Sequence, residues 1–545
     1  MNPPSALLYV GAAWLLWKIL QRIIRSSPLD QLNGPKSVSW FSGNLSQLFN
    51  RHGWGFVDGL ANDYGSVSKI YGLFGKQVLH LYDPLALHHI ILKDAQFYDE
   101  APWFYEMNQM TFGPGLLSVN GDHHRKQRKM LNPVFSIAHM RHMTPIFYRV
   151  AHKLKDAILN EVQDESNQVN MLGWMGRAAL ELVGQGGLGY SFDPLTESVP
   201  NDFGDALKAF LPLTFSFGPF RFFTHYAKYF GSPTFRRKLI DYLPIKRLHR
   251  VAEVVDQIYF MSKKIFDSKK AALAAGDEAV LEQVGEGKDI LSVLMKANMV
   301  ASEEDRLPED ELLGQMSTLV FAASDTTSTA LTQILHALAE HPEAQEKLRE
   351  EISEASRDGD IPYDELVDRM PYMDAICRET LRLHPPVTFV FRESLKDNIL
   401  PFSEPITTKD GTTITEMPVD KGTTILISLR ACNRNKAIWG EDALEWKPER
   451  WLTTLPKTVT DAKIPGVYSN LMTFLGGGRS CIGFKFSQLE MKVILSVLLT
   501  TFKISLPDNK DDIVWNLAGV RYPTVGNDTK PSFPMKVERL LRSEL

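Results

Sequence analysis

The 545-residue sequence predicts an α+β fold that is predominantly helical, with a minor and segregated β domain. Three observations carry this prediction. Apolar residues recur at helical spacing over several long segments. Short β-rich runs lie apart from these segments and are bounded by glycines and prolines. No internal repeat or low-complexity block interrupts the pattern, so the helices and strands are expected to share one large core.

The N-terminus predicts a membrane anchor over residues 1–25, because an apolar run is followed by basic residues. Lys18 interrupts the run, but a lysine there reaches the interface and extends the usable length. A cleaved signal peptide fits less well, since it requires basic residues before the apolar run; a helix lying in the interface is the remaining alternative. Residues 26–45 contain helix-breaking prolines and glycines and are expected to form a hinge to a domain over 46–545. The charge pattern places that domain in the cytosol.

Long helices are predicted wherever apolar residues repeat at helical spacing between capping or breaking residues. These segments are 137–162, 244–276, 308–340, 364–386 and 485–502. The helix over 308–340 is apolar on most faces, which predicts burial, yet it contains a polar cluster at its centre. Two segments, 65–84 and 411–429, alternate like strands around glycines and predict hairpins.

Composition excludes some classes of function. The chain is 44% apolar with a net charge of −5, so nucleic-acid binding has no electrostatic support. The three cysteines, Cys377, Cys432 and Cys481, are too few for a disulfide scaffold and fit a reducing compartment.

The stretch "FLGGGRSCIGF" places Cys481 just before a predicted helix. Free backbone N–H groups and the helix dipole at such a position favour a thiolate, which is a strong ligand for iron. The glycines at 476–478 would let the backbone turn tightly beneath a flat ligand. Taken alone, the stretch favours a buried structural cysteine in a turn.

The spacing of five residues in this stretch resembles the haem-binding signature of the cytochrome P450 family. These residues are Phe474, Gly477, Arg479, Cys481 and Gly483. The resemblance implies haem b, iron protoporphyrin IX, with Cys481 as its axial thiolate ligand. The resemblance extends over about residues 30 to 540. Together with the predicted anchor, the sequence resembles the microsomal type of the family, and several segments resemble fungal members.

Three further motifs occur in the order that the family shows. Glu379 and Arg382 lie three residues apart on one helix face, and Arg450 in "KPERW" is expected to complete a buried salt-bridged triad that holds the cysteine loop. The segment "AASDTT" resembles the oxygen-activation motif, which assigns proton delivery to Asp325 and Thr326. Where the family usually has glycine this chain has Ala323, and the pocket there is expected to be slightly tighter.

Haem propionates need cationic or hydrogen-bonding partners. The resemblance assigns this role to Arg479, to Arg392 after the "HPPVTFVF" stretch, and to Arg128 with His124 one helical turn before it. The family commonly has tryptophan where His124 stands. An alternative for Arg128 and Lys129 is a basic surface that faces an acidic protein partner.

The resemblance implies a monooxygenase that inserts one atom of O₂ into a lipophilic compound, in secondary metabolism such as that of terpenoids or in xenobiotic oxidation. Aromatic and aliphatic residues in the segments 101–119, 213–230, 320–324 and 387–390 and in "NLAGVRY" suit an apolar pocket, although ordinary core packing explains any single one. The segment 213–230 also fits a surface that dips into a membrane.

The chain carries no flavin domain or dinucleotide fingerprint, so an NADPH–cytochrome P450 reductase on the endoplasmic reticulum membrane is the expected electron donor.

Two other functions remain open from the sequence. An O₂-independent isomerase or dehydratase would use the same haem, but such relatives often lack the acid–alcohol pair that Asp325 and Thr326 provide. A non-catalytic haem-binding protein would not need that pair either.

Overall fold

The computed structural model describes residues 27–162, 167–196, 202–276, 279, 284–285, 287–507 and 512–540. Its longer helices are α1 (Trp54–Tyr64), α2 (Pro102–Phe112), α3 (Gly121–Leu131), α4 (Ile137–Glu161), α5 (Met171–Leu182), α6 (Asp202–Phe215), α7 (Pro233–Asp241), α8 (Lys246–Ala275), α9 (Ile290–Val300), α10 (Glu309–Glu340), α11 (Pro342–Ala355), α12 (Pro371–Leu383) and α13 (Phe484–Leu499).

The strands are short and lie in separate sheets. They are β1 (Val67–Tyr71), β2 (Gln77–Leu81), β3 (Tyr98–Asp99), β4 (Gln168–Asn170), β5 (Phe389–Ser394), β6 (Asn398–Thr407), β7 (Thr413–Val419), β8 (Thr424–Ser428), β9 (Phe502–Ser505), β10 (Ile513–Asn516), β11 (Tyr522–Val525) and β12 (Pro534–Arg539). A five-stranded sheet has the order β1-β2-β8-β5-β3, β4-β12-β9 forms a second sheet, and β6–β7 and β10–β11 are two-stranded. This confirms the predicted helix-rich α+β class.

The helix α10 occupies the centre of the molecule. It runs from Glu309 to Glu340 as predicted, is buried along most of its length, and packs against α5, α12 and α13. Its position inside the core explains why the sequence shows no single apolar face. The predicted helices that correspond to α4, α8 and α13 are also present.

One segment that the sequence predicts as a single helix forms two helices in the structure. The segment 364–386 contains the short helix Tyr363–Asp368 and then α12, which begins at Pro371. Proline lacks the N–H that a helix interior requires and disfavours helical backbone in the residue before it. Met370 accordingly has φ −118° and ψ 72°.

The predicted hairpin over 65–84 is confirmed, since β1 and β2 pair antiparallel. The predicted hairpin over 411–429 is wrong. Its first strand, β7, pairs with β6, whereas β8 lies between β2 and β5 in the large sheet. The cause is burial: every residue of β8 is buried, while β7 is mostly exposed, so the two strands belong to different layers.

The predicted anchor at residues 1–25 lies outside the described residues. Among the residues that the structure does describe, no helix combines the length and the apolar character needed to cross a bilayer. The chain that follows packs onto the core, where Leu29 and Leu32 are buried.

Candidate active site

Cys481 lies in a loop three residues before the start of α13. Its backbone N–H donates to the carbonyl of Phe474 at 2.9 Å, which closes the loop on itself. Desolvation by the surrounding protein raises the pKa of the Cys481 thiol. A hydrogen bond from the Gly483 backbone and the charge of Arg128 oppose this rise. Both opposing groups favour the thiolate, as expected for a sulfur at a helix N-terminus.

The other two cysteines differ from Cys481 in exposure. Cys377 and Cys432 are buried, whereas the side chain of Cys481 is exposed. Burial raises the pKa of both Cys377 and Cys432 to about 12, so neither is a thiolate at neutral pH. Cys481 is therefore the cysteine that is both accessible and placed to ionise when a metal binds.

The loop glycines allow the chain to pack against itself. A Cβ on Gly476 would lie 1.6 Å from the carbonyl oxygen of Pro465, and one on Gly477, which has φ +61°, would lie 2.3 Å from that of Ile91. Gly478 has no neighbour within 4 Å of such a Cβ. The small size of Gly476 and Gly477 is therefore required by neighbouring backbone, and the expectation that these glycines turn beneath a flat ligand stays a prediction.

Glu379, Arg382 and Arg450 form the predicted buried triad. Arg382 donates twice to the Glu379 carboxylate, at 2.8 Å from Nε and 2.8 Å from Nη2, and Arg450 Nε donates to it at 2.8 Å. Trp451 Nε1 adds a further hydrogen bond at 2.9 Å. Glu379 and Arg382 have no exposed surface, and a buried charge is stable only when it is saturated in this way.

Asn433 links the triad to the cysteine loop, and sequence reasoning missed it. Its backbone carbonyl accepts from Arg382 Nη1 at 3.1 Å. Its side chain accepts from the Met472 N–H at 2.8 Å and donates to Thr473 Oγ1 at 2.8 Å. Thr473 immediately precedes Phe474, so this buried asparagine fixes the start of the loop. Asn433 ends the short helix Leu429–Asn433, and asparagine is too common at such turns for its role to be read from sequence.

Arg128 holds the cysteine loop from the side of α3. Its Nη1 donates to the Ser480 carbonyl at 2.7 Å and its Nη2 to Ser480 Oγ at 2.9 Å. His124, one turn earlier, is buried, and burial together with Arg479 and Arg128 lowers its pKa to about 4. His124 is therefore neutral at pH 7 and offers a hydrogen bond but no charge.

Arg479 and Arg392 are anchored by acidic residues that the sequence did not single out. Arg479 Nη2 lies 3.1 Å from Asp99 Oδ1 and 2.7 Å from the Tyr105 hydroxyl. Arg392 Nη1 lies 2.7 Å from Glu100 Oε1. Burial raises the pKa of Glu100, and Arg392 and Arg479 oppose that rise. Asp99 and Glu100 are adjacent in the chain, so the two arginines lie close to one another.

This set of residues fits a haem with an axial thiolate. Among the described residues, Arg392 Nη2 is buried and has no hydrogen-bond partner, which leaves a donor free for an anionic oxygen. The cations Arg128, Arg392 and Arg479 suit two propionates, and the accessible Cys481 suits the iron.

Thr326 and Asp325 are neighbours on α10 but contact different groups. The Thr326 hydroxyl donates to the Ala322 carbonyl four residues earlier, at 2.8 Å, and its side chain is partly exposed. Asp325 is buried, and its Oδ1 lies 2.8 Å from Lys208 Nζ on α6. Sequence reasoning missed Lys208, because a lone lysine in an amphipathic helix normally faces solvent.

The predicted substrate segments bring aromatic rings together beside the centre of α10. Phe321 lies 4.7 Å from Phe112 of α2 and 5.3 Å from Phe210 of α6, measured between ring centroids. Phe210 was not singled out from the sequence and lies three residues before the predicted segment 213–230. In contrast, Phe215 of the predicted segment 213–230 packs with Phe49 and Phe391 in a separate aromatic core, so part of the predicted lining is ordinary packing.

A cavity of about 980 Å³ reaches α10 from the side of α5 and α6. Lys208, Ser324 and Asp325 line it, and Arg51 and Lys530 are among its other lining residues. Cys481 and Thr326 do not line it. The cavity therefore gives solvent a route to the Asp325 side of α10.

Comparison with known proteins agrees with this geometry. The family model described as cytochrome P450 matches residues 33–524. The chain is 54% identical to cytochrome P450 monooxygenase 91 of Postia placenta over 98% of both chains. It is 46% identical to a ganoderic acid synthetase of Ganoderma lucidum, over 99% of this chain and 100% of that protein. It is also 38% identical to a cytochrome P450 monooxygenase of Hericium erinaceus, over 96% and 95%.

Proposed function

The chain belongs to the cytochrome P450 family of haem-thiolate monooxygenases, and from this premise we propose that it oxidises a lipophilic small molecule with electrons from an NADPH-dependent reductase. When bound, the haem supplies the activation of O₂, and its thiolate ligand favours cleavage of the O–O bond. The observation that carries the proposal is the Cys481 loop, which presents one accessible sulfur between the Gly483 backbone and Arg128.

The protein's own residues hold the cofactor in three ways. Cys481 would bind the iron, and Arg128, Arg392 and Arg479 would pair with the propionates. The triad around Glu379, linked through Asn433, keeps the cysteine loop in place.

Proton delivery is assigned to α10. The Thr326 hydroxyl donates to the Ala322 carbonyl, so its oxygen lone pairs remain available to accept a hydrogen bond from a water molecule that carries the proton. Asp325 contacts the solvent-reaching cavity and can exchange protons with it. An O₂-independent isomerase or dehydratase needs no such pair, which is why a monooxygenase is preferred.

The substrate is expected to be apolar, because Phe112, Phe210 and Phe321 meet beside the half-buried Ala322 and Ala323. The relative from Ganoderma lucidum is named a ganoderic acid synthetase. Ganoderic acid and its precursors are therefore the first compounds to include in a substrate panel, beside terpenoids and xenobiotic aromatics.

We further infer that the protein works at the endoplasmic reticulum membrane, anchored once by residues 1–25 with the catalytic domain in the cytosol. A continuous exposed aromatic surface supports a membrane-facing side. Trp40 is 79% exposed and lies 5.6 Å from the ring of Phe74, which in turn lies 6.4 Å from that of Phe223. Phe220 and Tyr226 extend this surface.

On α3, Arg125 and Lys129 are exposed beside Arg128 and suit an acidic reductase surface.

The proposal is tested by co-expressing the full chain with an NADPH–cytochrome P450 reductase and analysing products from the panel. Oxygenated product that requires both NADPH and O₂ supports it. Product formed without O₂ would establish the isomerase or dehydratase, and tight binding without turnover would establish a non-catalytic haem-binding protein. Flotation of the full chain and of a chain lacking residues 1–25 with lipid vesicles tests the membrane assignment.

A further inference from the structure

Two buried glutamines and a glutamate form a continuous chain of hydrogen bonds between α3 and α10. Gln127 of α3 has no exposed surface, and Gln315 of α10 has almost none. Gln127 Nε2 donates to Glu311 Oε2 at 2.8 Å, and Gln127 Oε1 accepts from Gln315 Nε2 at 2.7 Å. Amide and carboxylate groups are costly to bury unless they are hydrogen-bonded, and each of these three has a partner. The two helices are therefore joined by a specific polar contact.

The same chain of hydrogen bonds continues onto the backbone of residues 113–119, the α2–α3 loop. Gln127 Nε2 donates a second hydrogen bond to the Pro114 carbonyl at 2.9 Å. Gln315 Oε1 accepts from the Leu116 N–H at 3.0 Å. Side chains of two helices thus satisfy backbone groups of this loop, and the loss of either amide would remove a hydrogen bond that holds it.

The backbone of the α2–α3 loop lies directly against α10. A Cβ on Gly115 would lie 2.5 Å from the carbonyl oxygen of Gly314, and one on Gly314 would lie 2.7 Å from the Gly115 nitrogen. The loop therefore cannot move closer to the helix, while the two glutamine amides prevent it from moving away. Together these contacts give the loop one defined position on α10.

The two ends of the loop reach the two parts of the proposed site. Phe112 ends α2 immediately before the loop, and its ring centroid lies 4.7 Å from that of Phe321 on α10. At the other end, the Val119 carbonyl accepts from Arg479 Nη2 at 3.0 Å. The position of the loop therefore determines where the Phe112 ring lies relative to α10 and to the arginine assigned to a haem propionate.

We propose that Gln127 and Gln315 are positioning residues for substrate selection: they hold the α2–α3 loop on α10 and thereby fix the Phe112 wall of the apolar pocket. Glu311 orients the Gln127 amide by accepting from its nitrogen, so that the amide oxygen faces Gln315. A pocket wall that is already in place lowers the entropy cost of binding, whereas a released loop must be ordered again by each bulky ligand. The inference rests on the proposed function, which places the substrate beside Phe321.

Azoles report the pocket without turnover, because an azole nitrogen that binds haem iron shifts the Soret band. Imidazole and clotrimazole, which adds three aromatic rings to an imidazole, are titrated into the purified haem-loaded full chain. Gln127→Leu and Gln315→Leu are each expected to raise the dissociation constant of clotrimazole about 10-fold and to leave that of imidazole unchanged. The double variant should match the single variants, because all three break the same chain of hydrogen bonds.

Gln345→Leu is the matched control. Gln345 is a buried glutamine of α11 whose amide nitrogen donates to the Leu338 carbonyl at 3.1 Å and to the Ile504 carbonyl at 2.8 Å. These contacts lie at the opposite end of α10 from Gln315. The control should leave both dissociation constants at their wild-type values. Equal effects in Gln345→Leu and Gln127→Leu would show a general loss of stability and overturn the positioning role.

Unchanged clotrimazole binding in both single variants would overturn the inference, and so would an equal rise for imidazole and clotrimazole, which would place the effect at the iron. Hydrogen exchange at the Leu116 amide is a second readout and is expected to be faster in Gln315→Leu. Wild-type exchange there would show that Gln315 does not hold the loop, and this measurement keeps the inference falsifiable where Gln127→Leu fails to fold. Absence of oxygenated product alongside weakened clotrimazole binding would refute the proposed function and support the positioning role.

Discussion

Arg382 donates a hydrogen bond to the backbone carbonyl of Asn433 at 3.1 Å, and this contact joins the buried triad to the loop that carries the cysteine. Because the Asn433 side chain holds Met472 and Thr473, a change at this one residue reaches the sulfur without touching it. The start of the Cys481 loop is therefore positioned by groups that belong to α12 and the chain around 433.

Asn433→Ala removes two buried hydrogen bonds at the start of the loop. We expect the free energy of unfolding to fall by about 1–3 kcal/mol and haem to be lost more readily from the purified protein. Haem retention is measured by the Soret absorbance after gel filtration. Asn435→Ala, which removes the cap of the short helix Lys436–Trp439, is the control and should retain haem. Equal haem retention in both variants would contradict the role of Asn433.

Cys481→Ala removes the sulfur assigned to the iron. The spectrum of the reduced carbon monoxide complex should lose its thiolate-type maximum, because no other accessible cysteine lies in the described part of the chain. Cys432→Ala serves as the matched control, since that thiol is buried and should leave the maximum in place. An unchanged spectrum in Cys481→Ala would reject the ligand assignment.

Thr326→Ala removes the hydroxyl that hydrogen-bonds the Ala322 carbonyl. We expect haem binding to be normal but product formed per NADPH to fall about 100-fold or more, with peroxide released instead, since positioned proton transfer typically contributes about 10²–10⁴-fold. Thr332 makes the same type of bond, at 2.8 Å to the Ser328 carbonyl, further along α10. Thr332→Ala should therefore retain wild-type coupling, and wild-type coupling in Thr326→Ala would remove Thr326 from proton delivery.

Glu379→Gln leaves two buried arginines facing an uncharged group. Breaking a buried ion pair in this way is expected to cost about 3–5 kcal/mol of the free energy of unfolding, measured by urea denaturation. Asp364→Asn breaks an exposed pair with Arg141 and should change the free energy of unfolding far less, because solvent screens exposed charges. A similar small cost for both changes would show that the triad does not stabilise the fold.

His80 gives the fold a defined pH dependence. It is buried in β2, its Nδ1 lies 2.9 Å from Ser68 Oγ, and burial lowers its pKa to about 4 from an ordinary value of 6.5. Between pH 6.5 and 4 the unfolded chain binds a proton that the folded protein does not, so stability falls as the pH falls. The contribution of this group is about 3 kcal/mol over that window. His80→Gln should have a flatter dependence of unfolding free energy on pH, and an equal slope would contradict the assignment.

The sequence predicts those parts of the site that depend on fixed spacing along the chain. Cys481, the Glu379–Arg382 pair and the burial of α10 belong to this group, because each follows from residues within one or two helical turns. Residues that act across the fold were not predictable in the same way. Lys208 meets Asp325 across 117 positions, and Asn433 meets Met472 across 39.

The same distinction between local and long-range contacts explains the two errors in the fold predicted from the sequence. Alternation of polar and apolar residues identified β7 and β8 as strands but could not specify their partners, which depend on layers formed by distant segments. The break before Pro371 follows from a local rule, yet the helical periodicity on both sides of it concealed the break.

Arg128 and Ser480 are in contact although 352 positions separate them in the chain. The two residues are therefore synthesised at very different times. As the chain leaves the ribosome, α3 emerges long before the loop that it must hold, so the sulfur becomes available only near the end of translation. Haem binding through Cys481 is thus expected only late in the synthesis of each molecule. We expect a chain truncated before residue 481 to contain most of the helices but not to retain iron.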